Sequence, residues 1–172
     1  DTGFHSGARA LLPLLHERGI SVRVLPGISS LQYFAAQLGR PWQGWSAVSA
    51  HGLTCNPVGE VLASQGRPVF FLTGGSAGAG ALCQQLVQAG LGHLTATVGE
   101  NLSYPGERIR SGPVYDLAGQ ETASLSVLLV EGYAPPANAP RSQGLDDSVF
   151  LRGDVPMTKQ EVRAAILAKL GV

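Results

Sequence analysis

Charge, aromatic residues and cysteine are all scarce in this chain. Of its 172 residues only 14% are charged and 6% aromatic, and there are two cysteines. Twelve basic residues balance twelve acidic ones. The balance removes the electrostatic argument for nucleic acid or for an anionic membrane surface, since either calls for a basic excess or patch. Cys55 and Cys83 are far apart and fit neither a metal-ligand spacing nor a disulfide framework, so both read as buried thiols in a reducing cytoplasm. No apolar run approaches the roughly 20 residues of a membrane span and no signal-peptide pattern is seen, so the expectation is a soluble cytoplasmic protein. What the chain does have is 44% apolar residues, 23 glycines and 11 prolines, the composition of a globular domain with many tight turns. Its length suits one full domain and a tail.

The central stretch is VRVLPGISSL, Val22 to Leu31. Val22 and Val24 alternate with Arg23, which predicts a half-buried strand broken by Pro26-Gly27. Ser29 and Gln32 have the spacing of a capping box for the helix that follows. Leu31, Phe34, Ala35 and Leu38 give that helix one apolar face, and Gly39 is placed to end it. A strand entering a helix through such a turn leaves backbone N–H groups and small hydroxyls available for a polar ligand.

The remaining elements follow in order. Ser6 can cap a helix running through Leu11, Leu12, Leu14 and Leu15 to Gly19. Pro13 inside it removes a hydrogen bond at a cost of about 3 kcal/mol, which predicts a kink or a later start. Ser46 to Ala50 reads as a short buried strand ending on His51-Gly52, Val58 to Ala63 as a brief helix, and Pro68 to Thr73 as a buried strand. Gly74, Gly75, Gly78 and Gly80 then lead into a helix with Leu82, Leu86 and Val87. That glycine run lacks the ending of a phosphate loop, so close packing of helix against sheet is the expected use.

Leu94 to Val98 reads as another strand, and GENLSYPGERI, which follows it, as a ligand-touching loop. Its Glu100 and Glu107 can act as acid or base, or simply be solvated or paired with arginine. Leu125 to Val130 reads as the last strand of an α/β domain with four to five strands in a mixed sheet. Ala134 to Asp147 has the composition of a linker. Met157 to Leu170 predicts a helix, with Thr158 and Glu161 as a capping box and an apolar stripe of Val162, Ile166 and Leu170.

Five segments in sequence carry a resemblance: DTGFHSGA at Asp1, LPGISSLQYFAAQLGRPW at Leu25, VSAHG at Val48, VFFLTGG at Val69 and VGENLSYPGERI at Val98. Together they resemble the tetrapyrrole methylases, most closely the branch of precorrin-6Y C-5,15-methyltransferases and cobalt-precorrin-7 C-5-methyltransferases. The resemblance implies a fold of two α/β domains with S-adenosylmethionine between them. Asp1 to Gly3 looks like the end of that family's GDPG-like loop, with Thr2 where proline is usual. The family's domain plan then implies four divisions: 1–19 as the end of a first methylase domain, 20–133 as the second, 134–148 as linker, and 149–172 as the start of a C-terminal methyltransferase/decarboxylase domain. On this reading the sequence is a piece of a longer, bifunctional protein.

The resemblance also implies site residues. The methyl donor would contact Asp1, Phe4, Ser29, Ser30, Thr73 and the backbone near Leu102, although both serines can equally serve the helix cap. Arg40, Arg108 and Arg110 would pair with carboxylates of a precorrin, unless they are ordinary surface arginines. His51, whose type titrates near neutrality, is a candidate proton acceptor or a loop histidine held by backbone hydrogen bonds. No metal site is expected. The implied reaction is precorrin methylation at C-5, with C-15 methylation and decarboxylation in a full fused enzyme that forms a homodimer. An inert dimerisation or docking module is the rival reading, suggested by the apolar composition and the final helix.

Overall fold

A computed structural model describes residues 4–52, 54–74, 78–135 and 158–170. The chain forms two compact units, Asp1–Ala134 and Pro135–Val172. The first holds a five-stranded sheet in the order β1-β2-β5-β3-β4. Its strands are β1 (Ser46–Ser49), β2 (Val69–Leu72), β3 (Thr95–Glu100), β4 (Arg108–Pro113) and β5 (Ser126–Glu131). β1 and β2 are parallel, joined by the crossover helix α3 (Pro57–Ala63), and every other pairing is antiparallel. The mixed α/β sheet expected from the sequence is the one observed.

Both faces of the sheet are covered, because its inner strands are apolar on both sides. Val69, Phe71, Ala96, Val98, Leu128 and Val130 face one cluster, completed by α3 and by α4 (Ala79–Gln88) and α5 (Val114–Leu117). Phe70, Val127 and Leu129 face the other, completed by Leu31, Phe34 and Ala35 of α2 (Ser30–Gln37) and by Trp45. The three Phe residues 34, 70 and 71 are wholly buried. Burial of a side chain of this size stabilises by about 1.5–3 kcal/mol, so the two clusters hold the sheet between them.

α2 follows its sequence signals closely. Ser29 Oγ accepts the Gln32 N–H at 3.3 Å, and Gln32 Oε1 accepts the Ser29 N–H at 2.9 Å. Gly39, at φ +63°, ends the helix by donating to Ala36, while Arg40 N–H reaches back to Ala35. The predicted strand before it is absent. Residues 20–29 form no strand, and Val24, Leu25 and Ile28 are exposed. A single V-R-V alternation is too short to distinguish a strand from an extended connection, and the sheet gives these residues no partner among the described strands.

Two other expectations change. α1 (Ala8–Glu17) continues through Pro13 and buries none of its residues. β4 lies within what reads as loop and turn, because an edge strand with Arg108, Arg110, Gly112 and Pro113 has no apolar run to betray it. Leu82, Cys83 and Leu86 pack α4 into the cluster on the sheet face, and Gly80 lets it also approach the backbone after α5, since a Cβ there would lie 2.0 Å from the Gln120 carbonyl oxygen. Gly75 is outside the described residues.

In the second unit, α6 spans Gln160–Leu170, and the carbonyl of Lys159 accepts its first bonds, from Val162 and Arg163. Thr158 therefore stands one residue outside the cap position assigned to it. Val162, Ile166 and Leu170 are exposed. The linker reading falls almost wholly on residues outside those described. Among the described residues no helix is long and apolar enough to cross a membrane.

Candidate ligand cleft at the strand ends

The register brings Leu72, Val127 and Gly99 side by side, where β2 ends, β5 begins and β3 nears its end. At this edge an open cleft of about 310 Å³ is lined by residues that include Ser30, His51, Leu72, Thr73, Leu102 and Val127. Its far wall is Ser124, Leu125 and Ser126, and Tyr104 completes the rim. Apolar walls with a few convergent polar groups are the usual make-up of a small-molecule site, and the edge of strand ends is its usual place in an α/β sheet.

Four segments distant in sequence supply the predicted residues. Ser30 opens α2, where first-turn N–H groups lack intrahelical partners. Ser29 is buried and its hydroxyl is committed to the cap. Thr73 is buried, and its hydroxyl donates to the Ser126 carbonyl at 2.6 Å and lies 2.8 Å from Ser126 Oγ. Exposed His51 follows β1, with Nδ1 3.4 Å from the Thr73 carbonyl oxygen. Gly74 makes room for that ring: a Cβ there would stand 1.9 Å from His51 Nδ1. Gly99 does the same for Phe34 and Leu102, whose atoms lie 2.8 Å and 3.0 Å from the place a Cβ would take.

The other predicted residues stand elsewhere. Phe4 packs against Phe70 with ring centroids 6.0 Å apart. Asp1 is outside the described residues. Arg40 makes a two-pronged ion pair with Glu131, at 2.6 and 2.9 Å, and lies over the Trp45 ring. The same carboxylate holds the Arg40 guanidinium pKa above its ordinary value through that hydrogen bond. Arg110 Nη2 is 3.1 Å from Glu100 Oε2, and Arg108 Nε is 3.7 Å from the same oxygen. The buried Glu100 also accepts the Ala123 N–H at 2.9 Å, which ties β3 to the cleft's far wall. Gly99 and Ser124 to Val127 are lining residues that the sequence reading did not single out. The small, polar ASLS run before β5 was the available signal, but only the antiparallel pairing of β5 shows that it meets the end of β2.

Residues 1–118 match the family described as Tetrapyrrole (Corrin/Porphyrin) Methylases. The chain belongs to that family. As a tetrapyrrole methylase it is 34% identical over 110 residues to the cobalt-precorrin-7 C(5)-methyltransferase of Salmonella typhimurium, and equally to that of Salmonella typhi. The match covers 64% of this chain and 53% of each relative, so the chain spans about half the length of the curated relatives it matches. Solved structures share the fold. Cobalt precorrin-4 methyltransferase superposes with a TM-score of 0.60 at 18% identity, over 76% of this chain and 60% of that one. Uroporphyrin-III C-methyl transferase from Thermus thermophilus, complexed with S-adenosyl homocysteine, gives 0.56 at 20% identity, over 73% and 59%. Diphthine synthase gives 0.61 at 14% identity, over 72% and 53%.

Proposed function

We propose that this tetrapyrrole methylase chain contributes the donor-binding part of an S-adenosylmethionine-dependent precorrin methyltransferase acting at C-5 in cobalamin biosynthesis. The observation that carries the reading is the gathering of Ser30, Thr73 and Leu102, all expected donor contacts, around one cleft with His51. Relatives named as cobalt-precorrin-7 C(5)-methyltransferases support the choice of ring carbon. C-15 methylation and decarboxylation belong, on this reading, to a longer fused protein in which the sheet-bearing unit serves as the second methylase domain.

When bound, the donor supplies an electrophilic methyl group on a sulfonium. The chain's own contribution is orientation and exclusion of water, which together can account for most of such a displacement. Leu72, Leu102, Leu125 and Val127 supply apolar walls, and the first turn of α2 supplies backbone donors. On this reading His51 accepts the proton that the methylated ring carbon sheds. Arg40, Arg108 and Arg110 engage precorrin carboxylates only by exchanging them for Glu131 or Glu100. We include them as secondary contacts of the proposal, together with Phe4, Asp1 and a homodimeric assembly in the cytoplasm.

The test is calorimetric titration with S-adenosylhomocysteine, beside a Ser29→Ala, Ser30→Ala double variant. Saturable binding that weakens in the variant is expected; no binding by the folded chain would overturn the reading. A docking module is the second reading, favoured by the exposed Leu11, Leu14, Ile20, Leu25 and Ile28. Self-association without donor binding would put it ahead.

A further inference from the structure

The turn between β3 and β4 carries two cleft residues, Leu102 and Tyr104. Leu102 lines the cleft between Asn101 at φ +49° and Ser103 at φ +66°, and Tyr104 follows at the rim. Two non-glycine residues in the left-handed region persist only where their surroundings fix them. Part of the fixing is internal, since Tyr104 N–H donates to the Asn101 carbonyl at 2.9 Å and Glu107 N–H to the Tyr104 carbonyl at 3.1 Å. Asn101 N–H also donates to the Leu125 carbonyl at 2.8 Å and Leu102 packs on the α2 cluster, while Ser103 is fixed by one carboxylate oxygen. Glu107 Oε2 accepts the Ser103 backbone N–H at 2.7 Å and the Tyr33 hydroxyl at 2.8 Å. Tyr33 is on α2, three residues beyond Ser30. A single oxygen thus joins the turn bearing Leu102 and Tyr104 to the helix bearing Ser30. Glu107 forms no ion pair among the described residues and does not itself line the cleft.

We infer that Glu107 is a positioning residue for the cleft, holding the Asn101–Gly106 turn against α2 so that Leu102 and Tyr104 form a fixed wall for the donor. The functional part of the inference rests on the donor reading of the cleft. The holding itself needs only an acceptor, because a neutral oxygen can take both bonds. Glu107→Gln therefore keeps the device and Glu107→Ala removes it, which separates positioning from acid–base chemistry.

The experiment compares the parent chain, Glu107→Gln and Glu107→Ala by residue-resolved amide hydrogen exchange without ligand and by calorimetric titration with S-adenosylhomocysteine. In Glu107→Ala the Ser103 amide is expected to exchange at least about ten-fold faster while β2 and β5 amides keep their protection. Affinity is expected to fall about ten-fold in the same variant and to stay within about three-fold of the parent in Glu107→Gln. Unchanged Ser103 exchange in Glu107→Ala, or equal affinity in all three proteins, would overturn the positioning role. Even loss of protection across β2 and β5 would also overturn it, by making Glu107 a residue of general stability. Failure of the parent chain to bind counts against the donor reading, and Ser103 exchange still decides whether Glu107 holds the turn.

Discussion

The hydroxyl of Thr73 is bonded to Ser126, donating to its carbonyl at 2.6 Å and lying 2.8 Å from its Oγ. Both residues are buried, just after β2 and at the start of β5, so the pair fastens two segments of the cleft lining together. Thr73→Val keeps the shape of the side chain and leaves the Ser126 groups without their partner. An unsatisfied buried polar group costs about 1–3 kcal/mol, which urea unfolding will register as a lower midpoint with an unchanged slope. Thr73→Ser keeps the hydroxyl and is expected to lose less.

Gly80 tests the reading of the glycine-rich turn. A Cβ there meets the Gln120 carbonyl oxygen at 2.0 Å, a backbone atom that cannot swing away as a side chain can. Gly80→Ala is expected to destabilise by about 1–3 kcal/mol or more through forced displacement of the backbone. Gly44 has no atom within 4 Å of the same position, so Gly44→Ala should fall within about 0.5 kcal/mol of the parent. Equal thermal midpoints for the two variants would contradict the packing account.

The sequence made the covered faces legible more readily than the edges. Phe70 and Phe71 sit in an apolar run that only a buried strand explains, and Ser29 and Gln32 announced the start of α2 through local hydrogen bonding. β4 was missed because Arg108 and Arg110 meet Glu100 at the sheet edge and spare the strand any apolar pattern. The Val22-Arg23-Val24 alternation misled because no neighbouring strand pairs with it. For the cleft, Ser30, His51, Thr73 and Leu102 were readable from recurring motifs, whereas Gly99 and Ser124 enter only through strand register. Glu107 was visible as a polar group, but its partner Tyr33 lies 74 residues away in sequence.

Cysteine reactivity follows burial. Desolvation pushes the Cys83 thiol up to about 12, and burial with the Glu60 charge raises Cys55 above its usual value. A raised folded-state pKa means that the stability due to neutral Cys83 is full below about pH 9 and is lost as pH rises through about 12. At pH 8 an aromatic disulfide reagent should therefore label half-buried Cys55 first and reach buried Cys83 only on unfolding. Simultaneous labelling of both in the folded chain would contradict this placement.

The donor cleft is tested most directly by amide chemical-shift mapping of the ¹⁵N-labelled chain during titration with S-adenosylhomocysteine. The account predicts saturable shifts centred on Ser30, Leu102 and Ser126, which come from three separate segments around the cleft. Shifts confined to residues outside that lining, or none from a folded chain at saturating ligand, would contradict it.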